Sequence, residues 1–147
     1  MEPLFDHEKL TVYQRSIQFV SWAATLVDDL PKQAPLRDQL DRASISIPLN
    51  IAEGNGKWSS RDRCRYFDIA RGSALECAAA LDVGTARNIF TQTETHPGKT
   101  QLAELIRMLI GLIKANDPER DFGDSDRVRE DEVFYGSGHQ TEDQDQD

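Results

Sequence analysis

The sequence predicts an all-α fold: an antiparallel up-down-up-down four-helix bundle over residues 1–116, with a disordered acidic tail over residues 117–147. Three observations lead there. Four stretches repeat their apolar residues at helical spacing, and none alternates as a half-buried strand would. The connections between them are short, which sets successive helices antiparallel. Charge is segregated: residues 117–147 hold twelve acidic and three basic side chains, a net of −9, while residues 1–116 hold fourteen of each sign. A chain of 147 residues, 38% apolar and 29% charged, suits one globular domain with a polar appendage.

The first helix is expected from about Glu8 to Leu30. Leu10, Tyr13, Ile17, Val20, Ala24 and Val27 recur at spacings of three and four. A second stripe of Val12, Phe19, Ala23, Leu26 and Leu30 merges with the first into an apolar arc of roughly 200°, where a stripe near 100° serves one core face. The surplus marks Phe19, Trp22, Leu26 and Leu30 as a candidate interface with further copies of the chain. Pro31 and Pro35 bracket the turn into the second helix.

That helix is expected from about Leu36 to Glu53, with Leu36, Leu40, Ala43, Ile47 and Ile51 inward. Pro48 inside it predicts a kink, because proline removes a backbone hydrogen bond and crowds the preceding turn. Gly54-Asn55-Gly56 predicts a left-handed C-cap. The third helix starts at Ser59 or Ser60, with Ser59 and Asp62 as a capping pair. Its stripe is Phe67, Ala70, Ala74, Cys77, Leu81 and Gly84. Small residues crowd Gly72 to Gly84, which lets a neighbouring helix approach closely. Thr91 to Gly98 reads as a polar loop. The fourth helix, about Lys99 to Asn116, carries Leu102, Leu105, Leu109, Leu112 and Ile113 on one face. From Asp117 onward, Asp, Glu, Gln, Gly and Ser dominate, the composition of a chain that buries too little to fold. Val133-Phe134-Tyr135 in that stretch reads as an incidental apolar cluster, with a short docking motif as the alternative.

Two cysteines are too few for a disulfide framework. Cys64 and Cys77 lie thirteen residues apart on one expected helix, roughly 220° apart around its axis, and cannot bridge. Free thiols suit a reducing compartment, so the chain reads as cytoplasmic. No stretch has the length and apolarity of a membrane span.

No metal or cofactor set is visible. A di-metal bundle needs Glu-x-x-His pairs facing inward, and His7, His96 and His139 fall near helix ends or in loops. Glu53 through Ser60 superficially resembles a phosphate loop but comes after a helix and lacks the glycine-to-lysine spacing. Asn50 and Glu76 fall on apolar faces, where a polar side chain needs a partner. A structural network joining them with Tyr13 or Arg42 is expected, not a catalytic carboxylate. The most informative charge feature opens the third helix. Lys57, Arg61, Arg63, Arg65 and Arg71 stand there with Trp58, Tyr66 and Phe67 interleaved. Cations at a helix N-terminus oppose its dipole, at about 0.3–1 kcal/mol each when exposed. Tolerating that suggests an anionic partner, and arginine beside aromatics suits phosphate contact and base stacking. A solvated or internally paired face is the competing reading. Lys57, Trp58, Arg61, Arg63, Arg65 and Arg71 are the candidate nucleic-acid contacts.

Several stretches together resemble the four helix bundle protein family, first noted as proteins encoded in intervening sequences of bacterial large-subunit ribosomal RNA genes. They are Asn50-Ile51-Ala52-Glu53-Gly54, Gly56-Lys57 and Phe67 through Ser73 with Glu76. Arg42 through Pro48 and the opening from Phe5 to Gln14 add to them. The resemblance covers about residues 5–115 and leaves the tail outside. It implies a bacterial protein with a closed bundle that assembles into a ring, commonly a pentamer. It also implies kinship with the accessory protein of diversity-generating retroelements, which binds nucleic acid and a reverse transcriptase through a basic surface. Lys57 stands where arginine is common, and the neutral bundle departs from a strongly basic one. Asn50, Glu53, Gly54, Gly72, Ser73 and Glu76 form the structural signature, read as packing and capping residues.

The expectation is therefore a non-enzymatic, homo-oligomeric, ring-like scaffold or adaptor that binds RNA or a reverse-transcriptase-like partner. The alternative is a protein–protein interaction module with no nucleic-acid binding. Neither involves a cofactor, a metal or a membrane.

Overall fold

The computed structural model describes residues 1–32 and 34–123. From Asp124 onward, the expected disordered tail and its triplet Val133-Phe134-Tyr135 lie outside the described residues. A 3-10 turn, Asp6–Lys9, precedes four α-helices: α1 (Thr11–Asp28), α2 (Pro35–Asn55), α3 (Ser60–Ala86) and α4 (Gln92–Asn116). Among the described residues there is no strand.

Cross-contacts give the arrangement. Asn55 bonds Asp6 and Arg37 reaches Leu30 between the two ends of the first hairpin. Ser46 meets Ser73 across α2 and α3. Lys99 pairs with Asp82, and Cys64 lies on Ile113, across α3 and α4. Arg15 pairs with Glu104 across α1 and α4. Asn55 with Asp6, Lys99 with Asp82 and Cys64 with Ile113 each join the start of one element to the end of another, as antiparallel neighbours do. Every helix packs on the next, and α4 returns to α1.

The core is continuous. Phe19, Phe67, Leu40, Ile47, Ile51, Leu81, Leu102, Leu105, Leu109 and Ile113 are all sealed from solvent. The predicted α3 stripe of Phe67, Ala70, Ala74, Cys77, Leu81 and Gly84 is buried throughout. Burial pushes the Cys77 thiol up to about 12, with the nearby Glu76 charge adding to it.

Several sequence expectations are corrected. On α1 the inward face is Val12, Ser16, Phe19, Ala23 and Val27, while Ile17 and Ala24 of the other stripe face outward. Of the candidate interface residues, Phe19 is 0% exposed and belongs to the chain's own core. Trp22 stacks beside Phe19, at 5.7 Å between ring centroids, and covers Gly98 of α4. Leu26 and Leu30 pack on the same core. α2 and α4 cover most of the arc of α1 from two sides, while Ile17 stays 43% exposed.

α2 runs through Pro48 to Asn55 as the single helix expected there. Its C-cap, Gly56, has φ −81 and is right-handed, so the predicted left-handed cap is absent. Gly54 serves close packing instead: a Cβ there would lie 2.8 Å from the Phe67 ring. α4 begins seven residues earlier than expected, because Thr91 and Glu94 form a capping box that turns the polar stretch into helix. Pro97 lies in its second turn, and Gly98 is the glycine on which the Trp22 ring rests. The bundle does not end at Asn116. Residues 117–123 fold back as a strap: Arg120 Nη1 donates to Asp68 Oδ2 at 2.7 Å, and Phe122 is only 8% exposed.

Candidate nucleic-acid interface

The α2–α3 turn builds the site. Ser59 Oγ accepts from the Asp62 backbone N–H at 3.1 Å and starts α3. Lys57 and Trp58 stand in the turn just before it. Trp58 is 102% exposed, so its whole indole is open to solvent. Lys57 Nζ sits 5.0 Å from the centroid of the Tyr66 ring, and Arg65 Cζ lies 5.9 Å from the same ring. Two cations thus flank one aromatic face, within the range of a weak cation–π attraction.

Helical register divides the predicted arginines. Arg61 and Arg65 are one turn apart on the same exposed face of α3. Ile69, Gly72, Glu76 and Val83 continue that face along the helix, all exposed. Arg63 points elsewhere: it is half-buried, and its Nη2 donates to Asn55 Oδ1 at 3.4 Å. Asn55 in turn donates to Asp6 at 2.9 Å, which ties the N-terminal turn to this end of the bundle. Arg71 is also half-buried, at a different azimuth. The structure therefore brings Trp58, Arg61 and Arg65 together on exposed surface, with Lys57 half-buried beside them, and leaves Arg63 and Arg71 outside the exposed cluster. Among the described residues, Lys57, Arg61 and Arg65 make no ion pair with a carboxylate. They are cations with free capacity for an anion.

The signature residues line the α2–α3 seam in part. Ser46 Oγ and Ser73 Oγ are 2.8 Å apart, and Asn50 Nδ2 donates to both the carbonyl and the hydroxyl of Ser46. Glu76 is exposed and accepts from Gln39. The predicted network is thus corrected. Asn50 and Glu76 bond different partners, Tyr13 packs on His7, and Arg42 pairs loosely with Asp38 at 3.7 Å. Glu76 sits where α3 turns its face outward, so it needs no buried partner. Glu53 is exposed, and Gly72 has nothing within 4 Å of where a Cβ would stand.

Sequence reasoning missed the strap contact. Arg120 and Lys114 flank the Phe122 ring, at 4.9 Å and 5.6 Å from its centroid. The signal is a lone aromatic shortly after a helix end, beside an arginine. Cys64 lies near this junction. Its thiol is pushed up by burial first and by Asp117 and Asp68 next. Among the described residues, no group of His, Cys, Asp and Glu could hold a metal ion, and no helix is long and apolar enough to cross a membrane.

Fold and site together define a small all-helical bundle with a cationic, aromatic end. The chain belongs to the family of 23S rRNA-intervening sequence proteins, whose model matches residues 8–111. A solved structure shares the fold with a TM-score of 0.67, at 23% identity over 71% of this chain and 99% of that one. It is a protein of unknown function from the S23 ribosomal protein family of Bacteroides thetaiotaomicron VPI-5482. No curated protein matches the chain. The family match stops before the last turn of α4, so the strap and everything after it lie beyond it.

Proposed function

We propose that the protein is a non-enzymatic, homo-oligomeric scaffold, a ring of subunits, that contacts RNA through the α2–α3 turn. The observation that carries this reading is the exposed cluster of Trp58, Arg61 and Arg65, with Lys57 half-buried beside it. An indole open on all sides costs hydration and contributes nothing to the core, whereas a base can stack on it. The adjoining cations are placed to meet the phosphates that such a stacked strand brings. Self-association draws on the outer faces of α2 and α3. Ile45 and Leu49 on α2, with Ile69, Leu75 and Val83 on α3, are all at least 42% exposed. An assembly would cover such side chains. A pentameric ring is the state that the family resemblance implies.

Binding of a single-stranded ribo-oligonucleotide, monitored by Trp58 fluorescence against a Trp58→Phe control, tests the RNA contact. Affinity should fall as salt rises, and Arg61→Ala with Arg65→Ala should flatten the salt slope by about 2. No binding at low salt would sink the RNA half of the reading.

A further inference from the structure

The strap of residues 117–123 runs along one face of α3. Cys64 and Asp68 stand one turn apart on that face. At the end of α4 the Ile113 carbonyl takes two donors, the Asp117 N–H at 2.8 Å and Cys64 Sγ at 3.8 Å. The strap therefore starts beside Cys64. It closes a turn through the Arg120 N–H to the Asp117 carbonyl at 3.3 Å, and Arg120 then holds Asp68. Phe122 follows, buried, with Lys114 and Arg120 flanking its ring. Cys64, at the start of this path, is 7% exposed.

The strap is lightly held. Pro118 stops α4, so these residues have no helix of their own. Their grip on α3 is a single ion pair whose side chains are 29% and 35% exposed. Such a pair contributes little, because water competes for both partners. Asp68 Oδ1 is sealed from solvent with no hydrogen-bond partner among the described residues, so closing the strap costs that oxygen its hydration. Segments with so few ties open at lower free energy than the core they lie on.

We infer that residues 117–123 are a latch: they lift from α3 while the four helices stay folded, and lifting them uncovers Cys64 and the socket of Phe122. The two thiols then differ in what exposes them. Cys77 is 0% exposed, in the middle of the core, and only unfolding of the bundle reaches it. Cys64 needs only the latch to move. Phe122 and the Arg120–Asp68 pair set how often that happens. The latch closes the α3–α4 end of the bundle and stands or falls without any RNA contact at Trp58.

The full chain is treated with an aromatic disulfide. Exchange with a cysteine thiolate forms a mixed disulfide and releases one coloured aromatic thiolate. The Cys64→Ser chain assigns the remaining reaction to Cys77. In the wild type, Cys64 should react about tenfold faster than Cys77 or more, since local opening precedes global unfolding. Phe122→Ala and Arg120→Ala should each speed Cys64 by a further factor of about five, with Cys77 at its wild-type rate and the helical circular dichroism unchanged. Charge alone acts the other way in Arg120→Ala. The Cys64 thiol is pushed up by burial first and by Asp117 and Asp68 next, and Arg120 pulls it down. Removing the guanidinium leaves less thiolate, so faster exchange in that variant reports uncovering. Equal rates for the two thiols in the wild type overturn the proposal. So does a Cys64 rate that neither substitution moves, or a variant that speeds both thiols alike, which would make the strap part of the bundle's single cooperative unit.

Discussion

Two glycines, on opposite sides of the bundle, have opposite explanations. A Cβ on Gly98 would stand 2.2 Å from the Trp22 ring, so the ring can rest on α4 as it does because that position lacks a side chain. Gly72, exposed on α3, meets nothing within 4 Å. Mid-helix glycine costs about 1 kcal/mol relative to alanine, and among the described residues nothing offsets that cost at Gly72. On the α1–α4 side, Gly98 is thus accounted for by a contact inside one molecule. On the α2–α3 side, Leu49 at 59% and Ile69 at 43% exposure have no such cover among the described residues. The self-association proposed above is therefore expected on α2 and α3.

The largest effect should come from that side. Leu49→Asp with Ile69→Asp is expected to reduce the mass measured by light scattering from a multiple of 16.6 kDa to 16.6 kDa, with the helical circular dichroism unchanged. A wild-type monomer at micromolar concentration would erase the contrast between the two sides. Next, Gly98→Ala should destabilise the fold by about 1–3 kcal/mol through overpacking against Trp22. Chemical denaturation measures this, and a smaller residue at position 22 should restore part of the loss.

Cys77 marks the inward face of α3. Its folded value of about 12 lies above the ordinary 9.0, so the folded state holds the proton more tightly. The associated stability is complete below pH 9, then declines as pH rises toward 12, by at most about 1.4 kcal/mol per pH unit. Denaturation midpoints across that range should fall less steeply in Cys77→Ala than in wild type. The smallest effect belongs to Gly72→Ala in the Leu49→Asp, Ile69→Asp background. There the outer face is free, and the substitution should stabilise by about 0.5–1 kcal/mol. A loss of stability would mean that Gly72 is needed inside the single chain after all.

Legibility varies with the kind of physics involved. The α3 stripe is readable residue by residue, because buried positions on a regular helix repeat at a period set by the backbone. The start of α4 is harder: Thr91 and Glu94 spell a capping box, but the polar run and Pro97 argue against a helix there. Pro97 is tolerated because it costs one hydrogen bond near the helix start, where few bonds precede it. Gly54 lies in the predicted neighbourhood but has a different task. A glycine at a helix end suggests a left-handed cap, and here the Phe67 ring decides its role. The arginine cluster reads as one patch in the linear chain, yet the turn of α3 separates Arg63 from Arg61 and Arg65.

Local pattern alone determined the number of helices, the identity of most core residues on α2 to α4 and the position of the charge. Those come from periodicity and composition, which the chain carries in itself. Which side of α1 faces inward, which glycines are packing sites, which arginines remain free and where the chain leaves the bundle were decided only in the tertiary structure. Each depends on the azimuth at which one helix meets another, and that angle belongs to the pair, not to either segment.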